Sequence, residues 1–317
     1  MKSLRPRLFL VLLPVLLAAH VGFADPVVTE LMSLGRMNDA ISVLVTRNDA
    51  DSMHLLSRAY YATEHWNDAV RCGERAVALR PDNASYHLWL AREYGQKAAN
   101  ASPMTAASLA RKAKNEFERA VQLDPLSVEA RLDLAQYYTE APLIMGGGLD
   151  KAREQASQVA KQNPAKAHLI LARIAEKEKQ FPEAESQLHH AIAAAADPAE
   201  YWLELAGFYR LQGRPDDMQK AVQGALAQRN ISSDKYFDAA NELFEGGRDF
   251  PAAISYLNKY LASGELVEGA PTFQAHYLLG RIYEKTGQSP AAISEYQASL
   301  ALASGFDRAR KALNHLQ

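Results

Sequence analysis

The 317 residues are 48% apolar and 23% charged, which is too apolar for a disordered chain, and 17 glycines and 14 prolines are too few for a collagenous or linker-like one. Thirty-five lysines and arginines stand against 37 acids, so no field favours nucleic acid. A single cysteine, Cys72, excludes an intrachain disulfide and any multi-cysteine metal centre.

In chain order, the first element reads as an address. Lys2, Arg5 and Arg7 precede a dozen almost wholly apolar residues, Leu8 to Ala19, and small residues follow at Gly22 and Ala24. This is the pattern of a secretory signal peptide over 1–24, cleaved after Ala24. The apolar run is short for a bilayer span and is broken by Pro14. No membrane span is therefore expected in the mature chain, residues 25–317. That part carries 32 basic against 37 acidic residues, net −5. The bacterial periplasm is the expected compartment, with secretion as the alternative. An exported chain without disulfides must be held by core burial.

From residue 25 onward the apolar spacing is helical, with Gly, Pro and Asn at intervals. A longer period lies over it. Residues 273–306 give one face with His276, Leu279, Gly280 and Tyr283, a turn at Gly287, then a second face with Ala292, Tyr296 and Ser299. The same 34-residue template fits 50–83 and 199–232. Looser copies fall at 84–127, 128–166, 165–198 and 234–267, and 25–49 reads as a truncated copy. In the copy at 234–267 the marker residues are taken as Ala240-Asn241-Phe244.

This resembles the tetratricopeptide-repeat (TPR) family, whose unit is a 34-residue helix–turn–helix. The resemblance covers nearly all of the mature chain. It implies an all-α, right-handed solenoid of about seven full antiparallel hairpins plus the truncated one. Small residues at Ser57, Ala91, Ala135, Ala172, Ala206 and Gly280 would let the two helices of a unit approach. No unit buries its apolar face alone, so neighbours must stack. The amphipathic segment 306–317 suits a C-terminal capping helix.

Three segments depart from the template. Ten extra residues in 84–127 imply longer helices flanking a turn, with Ser102-Pro103 a good start for the second helix. A short linker is expected at Glu268–Thr272. Five extra residues in 128–166 produce the loop Pro142-Leu143-Ile144-Met145-Gly-Gly-Gly. Its apolar residues form either a flap toward a groove or partner, or a plug over adjacent helix ends. The glycines are not a phosphate loop, because no Lys-Ser/Thr follows at the required spacing.

No His-Glu-x-x-His, Gly-x-Ser-x-Gly or Cys-x-x-Cys occurs. His189 and His190 are adjacent and point about 100° apart on a helix. Cys72 reads as a packing residue. The chain is thus expected to be a non-enzyme without cofactor or metal. A catalytic carboxylate pair across the superhelix would need a deep cleft and raised pKa values.

A recognition face is sought one residue after each small position, the flank that lines the concave groove in proteins similar to this one. The row is Arg58, Arg92, Gln136, Arg173, Gly207, Glu242 and Arg281. Arginine forks suit carboxylates. The row therefore suggests a protein or peptide partner bearing an acidic or carboxylate group, with Tyr61 and Trp89 beside it. The competing expectation is pairing with acids such as Glu93 or Glu129. TPR clamps for a terminal carboxylate rely on an asparagine in this row, which only Gln136 approximates. Asp238, Glu242 and Glu245 imply a change of sign further along. The functional expectation is a periplasmic adaptor holding protein partners in its concave groove. The alternative is a solute- or glycan-binding component of an envelope transport or export system, which a closed apolar cavity would favour.

Overall fold

The computed structural model describes residues 25–264, 267 and 269–317. The expected signal peptide and Glu268 of the expected linker lie outside the described residues. Seventeen α-helices and one 3₁₀ turn make up the described chain, and none of these helices is long and apolar enough to cross a membrane.

A short hairpin comes first, α1 (Pro26–Ser33) with α2 (Met37–Leu44). Seven full hairpins follow. They are α3 (Ala50–Ala62) with α4 (Trp66–Leu79), α5 (Ala84–Ala99) with α6 (Pro103–Leu123), and α7 (Val128–Glu140) with α8 (Leu149–Val159). Next come α9 (Pro164–Lys177) with α10 (Phe181–Ala194), and α11 (Ala199–Leu211) with α12 (Pro215–Leu226). The last two are α13 (Asp234–Glu245) with α14 (Phe250–Ala262) and α15 (Thr272–Lys285) with α16 (Ser289–Leu302), and α17 (Asp307–Leu316) ends the chain.

Local chemistry sets these boundaries. Asp25, Asn83, Ser127 and Asn163 cap their helices by accepting backbone N–H groups, as in Ala130 N to Ser127 Oγ at 3.1 Å. Six hairpins turn through a left-handed residue at the equivalent place, Gly35, Glu64, Lys179, Gly213, Gly247 and Gly287, and the turn at Gly247 has a second in Asp249. Four are glycine, for which that conformation is free; Glu64 and Lys179 accept it at some strain. The two departing hairpins lack this turn. In the first, α5 and α6 extend to 16 and 21 residues, as the ten-residue surplus implied.

The small residues Ser57, Ala91, Ala135, Ala172 and Ala206 are fully buried, and a Cβ at Gly280 would strike the Tyr296 ring. In α13 the register lies one residue earlier than the sequence suggested. The turn bond Arg248 N to Leu243 O matches Arg214 N to Tyr209 O. Ala240, fully buried, is thus the counterpart of Ala206, and Asn241, not Glu242, follows it. The marker pattern misled because Ala239 and Ala240 are both small and both buried.

The solenoid does not simply end in a cap. One buried cluster contains Val28, Met32, Met37 and Leu44 from the first hairpin and Leu55, Leu56, Ala59 and Cys72 from α3 and α4, together with Phe273, Ala303, Phe306 and Ala309 from the segment α15 to α17. Around it Thr272 donates to the Leu34 carbonyl, Gln274 Nε2 donates to the Ala62 carbonyl at 3.3 Å, and Arg308 pairs with Glu64 at 3.2 Å. The chain therefore forms a spiral of one turn whose ends seat on one another.

Candidate functional site: the concave row of the first helices

The first helices of successive hairpins stand side by side, and their side chains link from one to the next. Arg58 of α3 lies 4.6 Å from the Trp89 ring of α5, and Arg92 lies 4.9 Å from the same ring. Tyr61 meets Trp89 edge-on at 5.6 Å. Arg92 then crosses to α7, with Nε 2.6 Å from Asp133 and Nη2 2.7 Å from Glu129. Arg173 of α9 reaches back to Gln136 at 3.3 Å and forward to Glu204 of α11 at 3.2 Å. Arg210 continues to Glu242 of α13 at 2.9 Å.

Arg58, Arg92, Gln136 and Arg173 of the sequence row therefore lie along one physical row. Arg58, Tyr61, Trp89 and Arg92 meet in one cluster, and Gln136 and Arg173 meet in a second. Arg92 and Arg173 take up acids of the next hairpin. Glu129 is such an acid; Glu93 is not, because its side chain turns inward and is fully buried. The offset that found the arginines also locates their partners. Trp89, Asp133 and Glu204 each lie two residues before the small residue of their own helix. Each faces the residue just after the small one on the preceding first helix.

Further along, α7, α9, α11 and α13 enclose a groove of about 730 Å³. It is lined by Gln136, Glu140, Arg173, Glu176, Lys177, Glu200, Glu204, Arg210, Lys235, Asp238, Asn241 and Glu242, among others. Six acids thus face four cations, so the change of sign read from Asp238 and Glu242 is present. Glu245, named with them, is exposed and absent from the lining. Burial is the leading cause that lifts the carboxyls of Asp133, Glu176, Asp238 and Glu242 above the usual range, against the pull of Arg92 on Asp133 and Arg210 on Glu242. Lys235 bridges Asp234 at 2.8 Å and Asp238 at 3.3 Å. Glu176 is half-buried and forms no ion pair within 4 Å among the described residues.

The loop after α7 is held away from this groove floor by its own bonds. Tyr137 Oη donates to the Met145 carbonyl at 2.8 Å, and Gly148 N to the Tyr138 carbonyl at 2.8 Å. Pro142 is exposed, and Leu143 and Ile144 are 82% and 84% exposed, while Met145 is half-buried. The apolar side chains of Leu143 and Ile144 therefore do not plug the adjacent helix ends. Cys72 is buried in packing, and burial pushes its thiol up.

A row of antiparallel hairpins whose first helices present one continuous, polar concave face defines a helical-repeat solenoid. The tetratricopeptide-repeat family model matches residues 54–93 and 237–306. Tetratricopeptide repeats are thus recognised in those two segments, and repeats of that family are generally non-catalytic and bind protein partners. It is similar to a thermophilic TPR protein of Thermus thermophilus at 23% identity, covering 62% of this chain and 99% of that one, with a TM-score of 0.45. It is also similar to a tetratricopeptide repeat protein of Parabacteroides merdae at 14% identity, covering 84% and 98%, TM-score 0.43. A further match is to the APC/C hetero-tetramer Cut9–Hcn1 at 16% identity, covering 91% of this chain and 54% of that one, TM-score 0.42. No curated protein matches the sequence.

Proposed function

We propose that the chain is an exported, periplasmic scaffold without catalytic activity that holds a protein partner along the concave row of its first helices. The carrying observation is the groove of about 730 Å³ across α7 to α13, lined by charged side chains from four consecutive hairpins. A polar face of this length can be read by an extended segment of another protein through many modest contacts. An apolar small molecule would find little surface to bury there. In this reading Arg58, Tyr61, Trp89 and Arg92 form an aromatic, cationic station at one end, and the carboxylates around Glu176 and Asp238 form an acidic station further on. A partner with groups of both signs fits both stations better than one carrying only a carboxylate. The basic and apolar start of the chain supports export.

The test is affinity capture of the mature protein from its native envelope, comparing wild type with Glu140→Lys/Glu176→Lys. Neither carboxylate carries an ion pair of the row, so helical content should be kept while capture is lost. Full capture by this variant would place recognition away from the groove. A Lys161→Glu change on the outer side serves as the control that should capture normally.

A further inference from the structure

The seam between the two ends is not a product of the repeat. At the equivalent turn residues Gly213, Gly247 and Gly287, an added Cβ would meet nothing within 4 Å. Gly35 holds the same left-handed conformation, φ 71°, yet a Cβ there would stand 2.8 Å from the backbone nitrogen of Thr272. Backbone cannot step aside, so the close approach of α15 requires glycine at position 35. Asn38 completes the contact. Its Nδ2 donates to the Ala301 carbonyl at 3.0 Å, and its Oδ1 accepts from Ser304 N at 2.8 Å and from Ser304 Oγ at 2.8 Å. These bonds satisfy backbone groups that the end of α16 leaves without helical partners.

We propose that this seam is a latch: a reversible contact that holds the spiral closed and opens as a unit while the middle hairpins stay folded. Hairpins in a solenoid depend on their immediate neighbours, so the middle needs no help from the ends. The buried clusters divide in the same way. One runs from α4 to α9 and another from α9 to α15, while the seam has a third core drawn from α1 to α4 at one end and from α15 to α17 at the other. The rim of the seam is exposed, and its hydrogen bonds exchange for water at small net cost. Closed, the latch fixes the curvature of the concave row; open, it lets that row widen. The proposal stands whichever partner the row holds.

The test uses the full chain with Cys72→Ser and a cysteine pair, Asn38→Cys with Ser304→Cys. In the closed spiral this pair forms a disulfide within one chain under mild oxidation. Adding Gly35→Ala should reduce the cross-link to background. Adding Gly213→Ala imposes the same turn strain without the seam contact and should leave the cross-link intact, with equal helical content by circular dichroism in all three. Native-state hydrogen exchange then reads reversibility. Amides of α1, α2 and α17 should exchange together and faster than those of α9 to α11, and the disulfide should slow the two ends alone. Absence of a cross-link without Gly35→Ala would overturn the proposal. So would end amides that exchange only together with α9 to α11, a result obtained on the wild type even if Gly35→Ala fails to fold.

Discussion

At the scale of single residues, Glu93 is the least expected. It follows Arg92 directly and looks in the sequence like a groove-side acid. Instead it points between α3, α4 and α5, is fully buried, and neither carboxylate oxygen has a hydrogen-bond partner. A Cβ at Gly73 would reach its carboxylate carbon at 3.1 Å, so glycine makes the room it occupies. Burial pushes its pKa to about 8, Glu74 adds to the shift and Ser57 works against it. The sign of the consequence follows. Below pH 4.5 the group is neutral in both folded and unfolded chains. Between 4.5 and about 8 only the unfolded chain ionises, so this residue's contribution to stability falls as pH rises, and above about 8 it is lost. Glu93→Gln should therefore raise the melting temperature more at pH 8 than at pH 5. An equal change at both values would mean that Glu93 is already ionised in the fold. The residue was hidden in the sequence because helical period alone does not say which of two adjacent charged residues turns inward when the neighbouring helix carries glycine.

At the scale of elements, the hairpins are tied by recurring side-chain rungs. Tyr94 donates to Glu74 at 2.5 Å, Tyr138 to Glu118 at 2.9 Å and Tyr209 to Glu185 at 2.7 Å, each from a first helix to the second helix of the preceding hairpin. Arg92 bridges α5 to α7 in the same spirit, with Asp133 only 20% exposed beneath it. Arg92→Ala would strand that carboxylate and is expected to cost about 3 kcal/mol, as removal of one partner from a largely buried pair does. Asp133→Asn in the same chain should recover part of the loss. Chemical denaturation of the two variants checks this, and a change below about 1 kcal/mol for Arg92→Ala, the range of exposed pairs, would make the rung a surface contact. Ala206→Asp should likewise cost several kcal/mol, because it sets a charge into a fully buried helix contact. A wild-type melting curve for it would break the register on which the row is built.

Much of this was legible. The 34-residue spacing and its small residues placed seven hairpins, and the surplus in 84–127 announced the long α5 and α6. The loop Leu143-Ile144 stands out in the sequence, but its direction is not readable there, since it depends on the bonds from Tyr137 and to Tyr138. The α13 register slipped because two adjacent alanines satisfy the template equally. The arginine row and one of its acids, Glu129, are legible, while Asp133 and Glu204 are not, because their offset belongs to the next hairpin.

At the scale of the molecule, export and closure give separate expectations. If residues 1–24 are removed, the exported chain begins at Asp25, the cap of α1, which also holds Arg47 at 2.6 Å. Intact mass of the exported protein should show this start, and a retained Met1 would remove the claim. End-to-end closure could not be read from a repeat pattern, because it depends on Gly35 meeting Thr272 and on Asn38 meeting Ser304 across almost the whole chain. A local period carries no information about how many hairpins complete a turn of the spiral.

The central claim, that a partner lies along the concave row, is tested most directly by site-specific photo-crosslinking in the native envelope. A photoreactive residue replaces Gly207 in the groove or, separately, exposed Lys161 on the outer side just after α8. A partner held in the groove gives a discrete protein adduct from position 207 and none from position 161. An adduct from position 161 alone would contradict the claim.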